Sequence, residues 1–201
     1  FFNTNFSKWE YFRIIKKIVY LVLVSFLFVQ CSKENQYIIE KGKVGYLTKE
    51  TTVLELSSIF KEDSIVSNLS LNNSDNKDKL FSLYNDEYEI FSVKGDKLLE
   101  ITPTNKNDSL SKIKSIQIFD RNYKTDKGIS LQSTFKDINE HYMINKVETT
   151  LTSATLFIDE LNATISIDKK ELGLNSFSRE EVTIDQIPDI AKIKYFIIWF
   201  N

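Results

Sequence analysis

The chain has 201 residues, with 26 basic and 28 acidic side chains, one histidine, one cysteine, five glycines and two prolines. A single cysteine rules out an internal disulfide, and the near-balanced charge lacks the basic excess that nucleic-acid binding needs. Stability must come from a hydrophobic core, which a chain of this size can bury.

Residues 1–12 carry no readable pattern and read as an upstream extension. Arg13, Lys16 and Lys17 then precede an uncharged apolar run over residues 18–29, which ends at Gln30 and Cys31. A cationic stretch before an apolar run of about 7–15 residues is the pattern of a secretory signal. The cations stay on the cytoplasmic side while the apolar run enters the bilayer. Residues 18–29 make about 18 Å of helix, short of the roughly 30 Å hydrocarbon core. A permanent membrane span is not expected.

The tetrapeptide Phe28-Val29-Gln30-Cys31 resembles the lipobox of bacterial lipoproteins. Phe28 stands where the family usually has Leu, and Gln30 where it has a small residue. The resemblance implies cleavage before Cys31, a diacylglycerol on its sulfur and often a third acyl chain on the new N-terminus. Each buried methylene contributes about 0.8 kcal/mol, so two or three chains hold a protein firmly to a membrane. Ser32-Lys33-Glu34 lacks Asp beside the cysteine and so resembles lipoproteins passed on to the outer membrane. Its Lys-plus-acid pattern also resembles a surface-export signal, which leaves a periplasm-facing and a cell-surface orientation both open. Removal of residues 1–30 leaves 171 residues with 22 basic and 27 acidic side chains (26 − 4 and 28 − 1), a net charge of −5. Nucleic acid is not an expected partner; the membrane, through lipid on Cys31, is.

Beyond the cysteine the main feature is an internal repeat. Residues 45–60 align with residues 127–142 at an offset of 82, pairing Thr52 with Thr134, Val53 with Phe135, Glu55 with Asp137, Leu56 with Ile138 and Phe60 with Tyr142. Residues 112–119 align with 192–199 at an offset of 80. In each copy a Thr or Ser is placed to cap a short helix, and apolar residues at i, i+3 and i+7 give that helix one buried stripe. Strands are expected at residues 65–71, 88–93, 98–102 and 113–119 in the first copy. In the second they fall at 144–151, 154–158, 163–167 and 193–200. Turns over 94–96 and 159–162 join them as hairpins. Alternation such as Ile116 and Ile118 against Ser115 and Gln117 sets one face inward.

The expected fold is therefore α+β: two tandem repeats, each a short helix packed on an antiparallel sheet of about four strands. Residues 1–30 are the extension and signal peptide, 31–40 the lipidated cysteine and tether, 41–120 the first repeat and 121–201 the second. This helix-plus-four-strand layout resembles the architecture of beta-lactamase inhibitor proteins and related small periplasmic or lipoprotein modules. Residues 120–142, with Thr125, Gly128-Ile129 and Ser133-Thr134, also resemble uncharacterised bacterial lipoprotein families, a resemblance that implies no activity.

The polar loops read as turns. Residues 72–79 and 103–109 are rich in side chains that bond their own backbone. Neither the Asp75/Asp78 nor the Asp120/Asn122/Asp126 spacing meets the calcium-loop pattern of Gly at the sixth and an acid at the twelfth position. A long excursion over residues 171–188 has no counterpart in the first copy and is the preferred place for a partner contact. His141, the sole histidine, aligns with Ile59 beside the apolar stripe and reads as a boundary packing residue rather than a triad base. With Cys31 acylated no thiol nucleophile remains, and one histidine disfavours zinc. Neither a Walker A nor a GxGxxG motif occurs. Asp86-Glu87 with Glu89, or Glu180-Glu181, are the acidic neighbours from which a glycosidase pair would have to come. Tyr46, Tyr84, Tyr88, Tyr123, Tyr195 and Trp199 are candidates for a carbohydrate- or protein-binding face, although strand aromatics commonly serve as core or cross-strand pairs.

The sequence thus points to a lipid-anchored, non-enzymatic binding module of the cell envelope, with no catalytic, cofactor or metal residues assigned and a protein or glycan partner. The alternative is an envelope hydrolase with an acidic pair in a cleft between the repeats.

Overall fold

The computed structural model describes residues 16–17, 34–67, 87–175 and 177–200. Arg13, the apolar run 18–29 and Cys31 lie outside the described residues, as do loop 72–79, Tyr84 and Asp86. Among the described residues no helix is long and apolar enough to cross a membrane. The chain divides into two compact units, Phe1–Gln36 and Tyr37–Asn201. Within the first, Lys16 and Lys17 are helical and exposed. All the described strands belong to the second.

The fold is α+β, with two sheets and a few short helices. The larger sheet has eight strands: β4 (Ser64–Ser67), β5 (Tyr88–Phe91), β6 (Lys97–Pro103), β7 (Ile113–Ile118), β9 (Lys146–Thr149), β10 (Ser153–Ile158), β11 (Ala163–Asp168) and β12 (Ile193–Trp199). Their spatial order is β4-β5-β6-β7-β12-β11-β10-β9, with every pair antiparallel. Two expected sheets are thus one, joined where Phe196 stands opposite Ile118 and Ile198 opposite Ile116. The strand positions follow the alternation in the sequence. Gly95, at φ 86°, and Asn162, at φ 51°, supply the left-handed turns between β5 and β6 and between β10 and β11.

The pairing register divides the side chains into two faces. Ile65, Ile90, Leu99, Ile118, Phe196, Ile165, Leu156 and Val147 form one continuous row across all eight strands. Most of this row is fully buried, and it belongs to a core shared with Leu56, Phe135, Ile138 and Tyr142. The opposite face carries the row Val66, Glu89, Glu100, Gln117, Ile197, Thr164, Phe157 and Lys146, all exposed or half-buried except Thr164. One packed and one wet face is the usual economy of an antiparallel sheet.

The helices are short. A 3-10 turn over Val53–Glu55 leads into α1 (Leu56–Ile59), of which Leu56 alone is buried. The second, α2 (Phe135–His141), buries Phe135 and Ile138. Each start is tied back by a carboxylate. Glu55 accepts from the Thr52 backbone N–H at 2.7 Å, and Asp137 from the Thr134 N–H at 2.7 Å.

The smaller sheet departs from the expected layout. Its strands are β1 (Ile38–Glu40), β2 (Lys43–Val44), β3 (Leu47–Thr48) and β8 (Lys124–Thr125), in the order β3-β2-β1-β8. Residues 38–40, expected as the end of the tether, are strand, and Ile39 is fully buried. The parallel β1–β8 pair ties residues 38–39 to 124–125 across the expected boundary at 120. Runs of two or three residues carry too few side chains to show a period of two.

Candidate groove at the sheet edge

Among the described residues β9 is an edge strand, paired only with β10. The β9–β10 hairpin closes with the Thr150 N–H donating to the Ser153 carbonyl at 2.8 Å. Counting back by the antiparallel alternation, Glu148 and Lys146 turn their backbone groups toward β10, while Val147 turns its N–H and C=O outward. Among the described residues no hydrogen bond reaches those two groups. Beside this edge lies a groove of about 620 Å³, lined by residues 144–149 on one wall and 181–184 on the other.

The second wall comes from the long excursion, and three contacts set it in place. The Val182 N–H donates to Thr149 Oγ1 at 2.8 Å, and the Phe177 N–H to the Leu151 carbonyl at 2.9 Å. Lys169, whose side chain is 0% exposed, donates its ammonium to the Ser178 carbonyl. Val182 and Ile187 are buried, so the excursion is anchored to the core. Phe177 sits at φ 72°, a strained conformation for an aromatic residue, with its side chain 70% exposed. Leu151 beside it and Met143 before Ile144 are exposed as well, so large apolar side chains stand beyond both ends of β9.

The groove has an acidic wall. Its one cation, Lys146, pairs with Glu148, and no described cation lies within ion-pair distance of Glu180, Glu181 or Asp185. The excursion singled out as a contact site therefore does line a groove. The free edge facing it was not foreseen, because edge status follows from strand order.

The other sequence candidates fall elsewhere. Tyr123 is buried and packs edge-to-face on Tyr37, with ring centroids 5.1 Å apart. Burial comes first among the causes that push its hydroxyl well above the ordinary tyrosine range. Tyr46 and Tyr195 are exposed; Tyr88 and Trp199 are half-buried. The Trp199 indole N–H donates to Thr164 Oγ1 at 3.1 Å, which fixes the ring on the wet face of β12 and β11. His141 is exposed rather than packed, and its Nδ1 lies 2.8 Å from the Asp137 carbonyl at the end of α2. Glu180 and Glu181 are exposed. Glu89 and Glu100 both hold Lys97, at 2.6 Å and 2.5 Å, and the ammonium lies 4.2 Å over the Phe119 ring. Burial, and then the charge of Glu100, raises the neighbouring Glu87 carboxyl above its ordinary value. Asp120 and Asp126 serve local turns, accepting from the backbone N–H of Asn122 and of Lys127. Among the described residues no three metal-ligating side chains converge.

No family model matches the chain, and no curated protein matches it. Among solved structures the chain is similar to the crystal structure of the uncharacterized protein yfeY from Escherichia coli, with a TM-score of 0.50 and 15% identity. The match covers 81% of this chain and 99% of that one. At that identity the likeness concerns the fold alone.

Proposed function

We propose that the protein is a lipid-anchored binding module of the cell envelope, held in the outer membrane by acyl chains on Cys31 and built from two tandem copies of a helix-plus-four-strand unit. The anchor rests on the Arg13, Lys16 and Lys17 cations, the apolar run and the lone Cys31. The compact unit begins at Tyr37, so five residues separate it from Cys31. Three of those five, residues 34–36, belong to a 3-10 turn that runs on into Tyr37, so the spacer spans less than about 20 Å and keeps the domain near the bilayer, facing the periplasm or the cell exterior.

Equivalent contacts at the sequence offsets support the tandem reading. Thr52 bridges to Lys112, and Thr134 to Lys192. The Val53 N–H donates to the Ser111 carbonyl, and the Phe135 N–H to that of Ala191. A register shift falls between Thr102 and Pro103 opposite β7, and another between Ser166 and Ile167 opposite β12. Their partners, Ser115 and Ile113 against Tyr195 and Ile193, again differ by 80. A bulge preserved at one aligned position is easier to explain by duplication than by chance.

The observation that carries the binding role is the groove beside the free edge of β9, with exposed apolar side chains at both ends. Its test is a photo-crosslinking residue placed at Ile184 in intact cells, beside a control at Asp96 in the β5–β6 turn. A discrete crosslinked envelope product from Ile184 and none from Asp96 supports the module. Equal labelling from both positions, or none from either, contradicts it.

A further inference from the structure

We infer that the groove takes an extended peptide segment of a protein partner, alternating apolar and basic residues, which adds to the sheet as a ninth strand along β9. This rests on the binding-module reading and names its ligand class. An edge strand with an unpaired N–H and C=O is a template for main-chain pairing, in which the main-chain hydrogen bonds give affinity and the side chains of the added strand give specificity. Val147 supplies both groups, and β9, four residues at about 3.4 Å each, accepts a segment of about four or five residues.

Side-chain preference comes from the two walls. Val147 and the half-buried Ile144 and Ile184 offer apolar contact on the packed side of the edge. Among the described residues Glu181, which lines the groove, has no ion-pair partner, and Glu180 and Asp185 flank it in the same state. Lys146 and Glu148 neutralise one another on the wet face. A segment carrying lysine or arginine on its alternate positions therefore complements the wall, and one carrying carboxylates is repelled. Met143, Leu151 and Phe177 extend the apolar contact past the segment's ends. The left-handed Phe177, whose own N–H donates to the Leu151 carbonyl and whose neighbour Ser178 accepts from Lys169, is held outward before any partner arrives.

The test uses the full chain in detergent and three capped synthetic peptides of seven residues: alternating valine and lysine, alternating valine and glutamate, and the valine–lysine peptide with its central amides N-methylated. Affinity is read by fluorescence anisotropy. The valine–lysine peptide is expected to bind, with N-methylation and the glutamate replacement each weakening it by about tenfold or more. Glu181→Lys, an exposed change that leaves the core untouched, is expected to weaken the preference for lysine over glutamate by several-fold. Equal binding of the methylated peptide overturns strand addition, and an unchanged preference in Glu181→Lys overturns the acidic wall as the selector. A chain whose sedimentation mass doubles, and returns to that of one copy in Glu148→Lys, puts a second copy on β9 and overturns the peptide. Absence of peptide binding together with a crosslinked product from Ile184 overturns this inference alone; absence of both removes the binding module with it.

Discussion

Lys169 follows β11 and is fully buried, and among the described residues its ammonium donates to one carbonyl, that of Ser178. Two replacements separate what its stem and its charge contribute. Lys169→Ala removes three methylenes, about 2.4 kcal/mol at about 0.8 kcal/mol each, and leaves a void. Lys169→Met keeps most of that volume. Both variants lose the bond to Ser178, which costs about 1–3 kcal/mol, and both relieve the desolvation of a buried ammonium, a gain of several kcal/mol. The charge contributions therefore nearly cancel, and the stem decides. Met is expected within about 1 kcal/mol of the parent or slightly above it, and Ala about 2–3 kcal/mol below Met. At roughly 2–4 °C per kcal/mol for a domain of this size, that difference is about 5–10 °C in Tm. Thermal unfolding followed by circular dichroism measures it. Ala and Met melting within about 2 °C of each other would refute the packing of the stem. Met melting far below the parent would show that the ammonium, not the stem, holds the excursion.

The helix starts and the exposed carboxylates give two further predictions. Asp137→Ala unties the start of α2 and is expected to lower stability by about 1 kcal/mol. Glu140→Ala, which loses only an exposed pairing with Lys136 at 3.7 Å, is expected to cost a few tenths of that in the same denaturant titration. Equal effects would mean that the bond to Thr134 contributes nothing. The Thr134 hydrogen bonds, backbone first, hold the Asp137 carboxyl below its ordinary value, and the Lys194 ammonium does the same for Asp168. A carboxyl whose folded pKa is lowered contributes stability that is present above its unfolded value, near 3.9, and lost as pH falls through the folded one. Glu87 and Asp63, raised by burial, act oppositely: their contribution is present at low pH and lost as pH rises through the raised value. Unfolding midpoints are therefore expected to fall below about pH 4, less steeply in Asp137→Asn and Asp168→Asn. A parent that stays equally stable down to pH 2 would contradict the assignment.

Much of the eight-stranded sheet was legible because period-two alternation survives in strands of four to seven residues, and because Gly95 and the Asp159–Asn162 turn punctuate it. The threonines that precede the short helices, Thr52 and Thr134, were legible as helix starts for a similar reason, since capping is local in sequence, but the Glu55 and Asp137 carboxylates that accept their backbone N–H groups were not read from it. The smaller sheet was not, because β2, β3 and β8 have two residues each and owe their existence to neighbours far along the chain. Nor was Lys169, since a lysine next to a second lysine and a glutamate reads as surface until tertiary packing covers it. The groove was half legible. The excursion that forms one wall stood out by its length, but the free edge of β9 follows from the order of eight strands, which no local pattern encodes. His141 went the other way: alignment with Ile59 placed it beside the apolar stripe, and at the end of α2 it turns to the Asp137 carbonyl and to solvent.

The proposed anchor at Cys31 is tested most directly by the intact mass of the protein purified from membranes, measured beside a Cys31→Ser variant. The account predicts a chain that begins at residue 31 and carries two or three acyl groups, and a variant lacking them that leaves the membrane fraction. A mass that retains residues 18–29, or an unacylated soluble protein cut elsewhere, would contradict it.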